Sequence, residues 1–138
     1  MRANRSDQLE NNSATRYGIA SGCKLFTAIA VCQLVEEGEI SFETKLNDCL
    51  DMDFRQFDDR VTVHHLLTHT SGIPDYFDED VMDDFEEIWE PNVSCKRVKR
   101  FLTIISGQSY EKPTRRIVSY YNAGYILLGL IVEEASEL

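Results

Sequence analysis

Ser21 and Lys24 are the residues of this chain whose types and spacing best suit covalent catalysis. They stand three positions apart in Ser21-Gly22-Cys23-Lys24, at the opening of an apolar, helix-like stretch. Residues i and i+3 of a helix share a face, so the Lys24 amine can reach the Ser21 hydroxyl. A serine hydroxyl is a weak nucleophile until a base takes its proton, and a lysine amine can take it when desolvation and the positive end of a helix favour the neutral amine. The pair therefore predicts nucleophilic acyl transfer.

The spacing of Ser21 and Lys24 is a weak signal by itself, because so short a pattern recurs by chance. A second match, Ser109 with Lys112, lies in a loop-like segment, is followed by Pro113 and opens no apolar helix. From spacing alone, a simple helix cap at Ser21 is the commoner explanation. Other segments must decide between these two interpretations.

Two later segments complete a recognisable set. Residues 65–72 read His-Leu-Leu-Thr-His-Thr-Ser-Gly, and Tyr120-Tyr121-Asn122 stands directly before an apolar helix. In this order after Ser21 and Lys24, they resemble the serine β-lactamase and penicillin-binding-protein superfamily, nearest to its class C β-lactamase, DD-peptidase and esterase-like branch. The resemblance runs from about residue 17 to residue 134.

The resemblance implies a role for each of four residues. Ser21 is then the acylated nucleophile, Lys24 assists its deprotonation, Tyr120 lies beside both as a second proton relay, and Asn122 binds the substrate amide and Lys24. The implied substrates are small-molecule or peptide acyl donors: a β-lactam, a D-Ala-D-Ala peptide or a small ester. Attack gives a covalent acyl-enzyme that water or an amine releases. Whether Lys24 or Tyr120 is the base stays open.

Metal and cofactor chemistry find no support in the sequence. His65 and His69 have the spacing of two zinc ligands, but a zinc protease needs Glu where Leu66 stands, so both histidines are expected to be structural. The four cysteines form no Cys-x-x-Cys pair, and the acids around residues 78–80 lack the pattern of a calcium loop. We expect no metal and no cofactor.

The composition of the chain limits the classes of partner and the cellular location that we expect for it. The chain has 138 residues, 43% of them hydrophobic, and a net charge of −10, which disfavours nucleic acid. It contains no apolar run of membrane-spanning length. Its first residues lack the apolar core of an export signal, so the expected location is cytoplasmic as encoded, although members of the resembled family are often exported. Cys23 and Cys32 are expected to be reduced and buried.

The sequence divides into a polar flexible leader, 1–16, and a partial β-lactamase-like domain, 17–138. The predicted fold class is the α+β, β-lactamase/transpeptidase-like family, of which this chain carries mainly the helical part, with few strands and the main sheet largely missing. A helix apolar on nearly every face, 21–37, is predicted to be central and buried and to stop at Gly38. The remaining predictions are an irregular surface segment at 39–60, a short helix capped by Thr62, amphipathic helices at 78–90 and after Ser94, and a last helix at 123–135.

The chain departs from the family pattern in ways that suggest alternatives to catalysis. The family's third motif, Lys or His, then Thr or Ser, then Gly, lies on a strand that supplies an oxyanion donor, and no such motif follows Asn122. The strands that precede the family's Ser-x-x-Lys also have little room here, and Thr114 replaces the usual Gly after Pro113. One alternative is a truncated, non-catalytic relative that acts as a binding module. Another is a half-domain completed by a second chain or by a homo-oligomer.

Overall fold

The computed structural model describes residues 2–4, 6–54, 57–75 and 118–136. Two short strands, β1 (Arg2–Asn4) and β2 (Leu9–Glu10), pair antiparallel within the predicted leader. A 3₁₀ helix (Ala20–Cys23) follows, and the described ranges then contain the α-helices α1 (Lys24–Glu37), α2 (Leu46–Cys49), α3 (Val63–Leu67) and α4 (Ala123–Ala135). The described ranges are therefore mainly helical, as predicted. The amphipathic helices predicted at 78–90 and after Ser94 lie outside them.

Helix α1 ends where the sequence predicts. Gly38 adopts a left-handed conformation with φ of 82°, which glycine reaches without a steric penalty. Its N–H donates to the carbonyl of Val35, and the N–H of Glu39 donates to that of Leu34. These two bonds form a Schellman motif, so the free carbonyls of the last turn are satisfied.

Helix α4, rather than α1, is the central helix of the described structure. Helices α1, α2 and α3 all contact it. It buries Ala123, Gly124, Leu127, Leu128 and Ile131. The start of α4 behind Asn122 is as predicted. Tyr125, Ile126 and Leu130 are only partly buried.

The prediction that α1 is buried on nearly every side is wrong for this structure. Val31 and Leu34 are buried, but Leu25 and Phe26 are 62% and 65% exposed, and Ile29 is exposed as well. Cys23 and Cys32, predicted to be buried, are also exposed. The reason is that α4 packs against one side of α1, so the other apolar side of that helix faces outward.

The segment at 39–60, predicted to be irregular surface, contributes to the core instead. It contains α2, and it buries Leu46, Leu50, Phe54 and Phe57. Backbone bonds hold it beside the start of α3, since the Leu46 N–H donates to the Val61 carbonyl and the Val63 N–H donates to that of Thr44. Among the described residues, the core cluster comprises Val31, Leu46, Leu50, Phe54, Phe57, Val61, Val63, Leu66, Ile73, Tyr121, Ala123, Leu127, Leu128 and Ile131.

Helix α3 begins at Thr62, as predicted. The Thr62 hydroxyl accepts from the His65 N–H, and the His65 ring nitrogen Nδ1 accepts from the Thr62 N–H. This reciprocal arrangement is a capping box in which a histidine occupies the usual Glu or Gln position. It gives His65 a structural role. None of the helices described here is both long and apolar enough to cross a membrane.

Candidate active site

Ser21 and Lys24 lie at the junction between the 3₁₀ helix and α1. Because the chain is already helical through this junction, the two side chains fall on one face, and Lys24 Nζ donates to Ser21 Oγ over 3.1 Å. The preceding Ala20 has a φ of 44°, a left-handed conformation that is uncommon for a residue with a side chain. The strained residue therefore sits immediately before the candidate nucleophile, where such strain is often found.

Tyr120 brings a second titratable group to the Ser21 hydroxyl. Its Oη lies 2.7 Å from Ser21 Oγ, and Lys24 Nζ lies 5.0 Å from the centre of its ring. Hydrogen bonding from Lys24, and then from Ser21, lowers the pKa of Tyr120 because both favour the phenolate. The phenol is therefore closer to the base form than a free tyrosine is.

Asn122 holds the Lys24 amine from the other side. Lys24 Nζ donates to Asn122 Oδ1 over 2.8 Å, across 98 positions of sequence. The amine thus has one hydrogen bond to Ser21 and another to Asn122, with the Tyr120 ring beside it. The structure brings all four predicted site residues together.

Asp75 is a further member of this cluster, and the sequence analysis did not single it out. Its carboxylate accepts hydrogen bonds from the backbone and side chain of Asn122 and from the backbone of Ala123. A carboxylate in a turn carries no sequence signal that tells which distant N–H groups it will face. Only the packing of the turn after α3 against the start of α4 reveals this contact.

His69 supports the segment that carries Tyr120. The His69 carbonyl accepts from the Ser119 N–H over 2.9 Å, and its Nδ1 accepts from the Tyr121 N–H over 3.4 Å. Its ring packs among those of Tyr120, Tyr121 and Tyr125, with centroid separations of 4.7 to 5.3 Å. Burial, followed by the charge of Lys24, lowers the pKa of His69, which favours a neutral ring. Because Nδ1 accepts the Tyr121 N–H, the proton of that neutral ring lies on Nε2. His69 is a scaffold residue of the site, as the sequence analysis expected.

The Tyr121 side chain points away from the nucleophile into the core. Its hydroxyl pairs with the buried Ser71 hydroxyl, which also accepts from the Ile73 N–H. Tyr125 donates its own hydroxyl to the Leu67 carbonyl, and burial raises its pKa. Both tyrosines are therefore packing and wall residues. No cluster that could hold a metal ion occurs in the ranges that the structure describes.

The similarity to a known family extends over almost the whole chain. The family model described as Beta-lactamase matches residues 2–137. The chain belongs to the Beta-lactamase family. This confirms the predicted superfamily, one of serine hydrolases that includes the penicillin-binding proteins, and it confirms the predicted fold class.

Two curated relatives show how similar this Beta-lactamase-family chain is to individual proteins and how much of their length it covers. It is 35% identical over 130 residues to penicillin-binding protein 4* of Bacillus subtilis and 30% identical over 137 residues to protein flp of Staphylococcus aureus, strain COL. The match covers 93% and 94% of this chain but only 26% and 25% of those proteins. The chain thus spans about a quarter of the length of these curated relatives.

Solved structures show the same partial coverage. A penicillin-binding protein from Bacillus halodurans is 52% identical, with a TM-score of 0.84, and the match covers 100% of this Beta-lactamase-family chain and 42% of that one. The octameric penicillin-binding protein homologue from Pyrococcus abyssi is 36% identical, with a TM-score of 0.71, and the match covers 96% and 30% of the two chains.

Proposed function

We propose that this chain supplies the nucleophilic half of a serine acyl-transfer site. The observation that carries the proposal is the position of Ser21 Oγ, which has the Lys24 amine at 3.1 Å and the Tyr120 hydroxyl at 2.7 Å. Both groups can accept the proton that a serine must lose on attack, and both lie within the distance that proton transfer needs. A simple helix cap at Ser21 needs neither group.

The proposed reaction has two steps. In the first, Ser21 Oγ attacks the carbonyl carbon of an amide or ester, its proton passes to Tyr120 or Lys24, and the leaving group departs with a proton returned by that relay. A covalent acyl-enzyme ester remains. In the second, water or an amine attacks the same carbonyl, gives its proton to the relay and releases Ser21, so that the site is restored.

Asn122 is proposed to have a double role. Its Oδ1 holds Lys24, and its Nδ2 amino group carries two hydrogens, of which one is donated to Asp75. The second hydrogen is suited to the carbonyl oxygen of a substrate amide. This gives the substrate a contact close to the nucleophile.

A β-lactam is the acyl donor that we propose to test first. Two of the relatives described above are named as penicillin-binding proteins, one of them 52% identical to this chain. A β-lactam is also a strained amide, so it acylates a serine more readily than an open peptide does. A small activated ester is the second candidate, since it needs less stabilisation of its oxyanion.

The test is covalent labelling followed by intact mass measurement. The folded chain is incubated with a fluorescent penicillin and, separately, with a fluorophosphonate probe, beside Ser21→Ala and the exposed-serine control Ser13→Ala. We expect one adduct on the wild type and on Ser13→Ala and none on Ser21→Ala. Absence of any adduct on the folded wild type would refute acyl transfer by this chain. An adduct that persists on Ser21→Ala would refute the assignment of the nucleophile.

A further inference from the structure

The Asp75 carboxylate joins the turn after α3 to the start of α4. Its Oδ2 accepts from the Asn122 backbone N–H over 2.8 Å and from Asn122 Nδ2 over 3.1 Å, while its Oδ1 accepts from the Ala123 N–H over 3.1 Å. Three donors thus converge on one carboxylate. Two of them belong to Asn122, the residue that contacts Lys24.

The backbone part of this contact replaces a missing helix cap. Asn122 precedes α4 but its side chain makes no capping bond, and the first turn of α4 contains no acidic residue. Asp75 supplies the acceptor and the negative charge from 47 positions away in sequence. A carboxylate at a helix N-terminus is favourable because it faces the positive end of the helix dipole and its unpaired N–H groups.

The side-chain part of the contact fixes which way the Asn122 amide faces. An ionised carboxylate only accepts hydrogen bonds, so the edge of Asn122 that faces Asp75 must be its amino group. The carbonyl oxygen then points to the opposite side, where Lys24 Nζ lies 2.8 Å away. A lysine ammonium only donates, so it requires an oxygen at that place. The two charged neighbours select the same orientation of the amide.

We propose that Asp75 is a positioning residue for acyl transfer at Ser21. It holds the Asn122 amide in one orientation, and Asn122 in turn holds the Lys24 amine against Ser21 Oγ. This inference rests on the proposed function, since it assigns Asp75 a part in the same site. Without the carboxylate, the Asn122 amide can rotate and present its amino group to Lys24, which repels it.

The proposal is tested on the full chain by a double-mutant cycle. Asp75→Asn keeps the size of the side chain and one acceptor oxygen. Unlike the carboxylate, however, the new amide can also donate a hydrogen bond, so it no longer requires a donor on the Asn122 side. We expect the maximal rate of acylation by fluorescent penicillin to fall on the order of 10²-fold, because misplacement of a catalytic group by about 1 Å costs that much. Asp51→Asn, which removes one exposed carboxylate elsewhere, should acylate at the wild-type rate.

The cycle separates positioning from a general loss of structure. In an Asn122→Ala background, Asp75→Asn should change the acylation rate by less than about 3-fold, since coupled residues are not additive. The proposal would be overturned if Asp75→Asn lowered the acylation rate as much in the Asn122→Ala background as in the wild type. A wild-type acylation rate for Asp75→Asn alone would overturn it as well. If Asp75→Asn does not fold, Asp75→Glu is measured with the same expectations, because it keeps the charge but displaces the carboxylate by one methylene.

A second measurement does not depend on acylation. The side-chain amide resonances of Asn122 in a ¹H–¹⁵N spectrum should shift in Asp75→Asn and stay in place in Asp51→Asn. If the chain is never acylated but these resonances respond, the proposed function fails and the positioning contact stands. If the wild type is acylated and the Asn122 side-chain resonances do not shift in Asp75→Asn, the positioning role fails and the proposed function stands.

Discussion

The Oη of Tyr120 lies 2.7 Å from the Oγ of Ser21, although the two residues are 99 positions apart in sequence. Lys24 donates to the same serine oxygen and also lowers the pKa of Tyr120. The three groups therefore form one proton network, in which the charge of Lys24 prepares Tyr120 to act as a base. This relationship makes the protonation state of Tyr120 the first quantity to test.

Tyr120→Phe should slow acylation of Ser21 by a factor on the order of 10²–10⁴, which is the usual contribution of a general base. The wild-type rate should rise with pH as the phenolate forms. The lowered pKa of Tyr120 places this rise at a lower pH than a free tyrosine would give. The measurement is the rate of fluorescent penicillin attachment from neutral to alkaline pH, and the variant should lose the rise.

Tyr125→Phe is the matched control for that pH profile. Tyr125 donates its hydroxyl to the Leu67 carbonyl, and burial raises its pKa, so it remains protonated where Tyr120 ionises. Its variant should keep the rise with pH. A Tyr120→Phe protein with an unaltered pH profile would exclude Tyr120 as the base and leave Lys24 in that role.

Lys24→Met should reduce the acylation rate by at least about 10²-fold, because it removes the amine that hydrogen-bonds Ser21 Oγ and lowers the pKa of Tyr120. The straight methionine side chain keeps the helix propensity at this position. Lys45→Met changes an exposed lysine in front of α2 and should leave the rate unchanged. Equal labelling of both variants would remove Lys24 from the mechanism.

The local parts of the site could be predicted from the sequence because helix geometry is local. The Ser21–Lys24 contact, the Thr62 cap and the Gly38 stop each depend on residues within a few positions of one another. Tyr120 and Asn122 could be included only through the resemblance to a family. No periodicity indicates that a residue about 100 positions away will meet Ser21.

The parts that were missed depend on tertiary packing. Helix α1 is apolar on nearly every side, so its sequence does not tell which side a neighbour covers, and Leu25 and Phe26 are in fact exposed. The segment at 39–60 has no clear hydrophobic period, yet it buries Phe54 and Phe57. Asp75 was not identified as a site residue, because its partners lie at the start of another helix.

Gly124→Ala should destabilise the chain by about 1–3 kcal/mol, the usual cost of forcing extra atoms into a packed core. A Cβ at this position would lie 2.5 Å from a ring carbon of Tyr121, which is buried against Ser71 and His69. Gly129→Ala, in the same helix, meets nothing within 4 Å. That control should gain up to about 1 kcal/mol from the higher helix propensity of alanine.

The free energy of unfolding of both glycine variants is measured by urea denaturation, followed by circular dichroism. The two substitutions add the same methyl group to α4, so the difference between them reports the contact with Tyr121. Equal stability of the two proteins would show that the Tyr121 ring can move aside without cost, contrary to its packing in this structure.

Thr62→Val should destabilise the chain by about 1 kcal/mol, because it removes the capping hydroxyl of α3 while it keeps the shape of the side chain. Thr62→Ser retains the hydroxyl and should restore most of the capping contribution. The stabilities of the wild type, Thr62→Val and Thr62→Ser are compared by thermal unfolding. A Thr62→Ser protein no more stable than Thr62→Val would show that the buried methyl group, and not the hydrogen bond to the His65 N–H, is what matters at this position.

The stability of the chain should fall as the pH drops below the ordinary histidine value, and His69 should contribute to this fall. Burial and then Lys24 lower the pKa of His69, so the unfolded chain binds a proton at a higher pH than the folded chain does. The contribution is therefore fully present above the unfolded value of 6.5 and is lost as the pH falls through the lower folded value. Protonation also removes the Nδ1 acceptor of the Tyr121 N–H.

His69→Gln should flatten this pH dependence, since the glutamine amide can accept a hydrogen bond without titrating. The flattening should be partial, because burial also lowers the pKa of His65 and adds a contribution of the same sign. The free energy of unfolding is measured by urea titration at several pH values on either side of neutral, and its slope against pH is compared between the proteins. A wild-type slope in His69→Gln would mean that the ring is not held neutral among the three tyrosines, and the scaffold role assigned to it would fail.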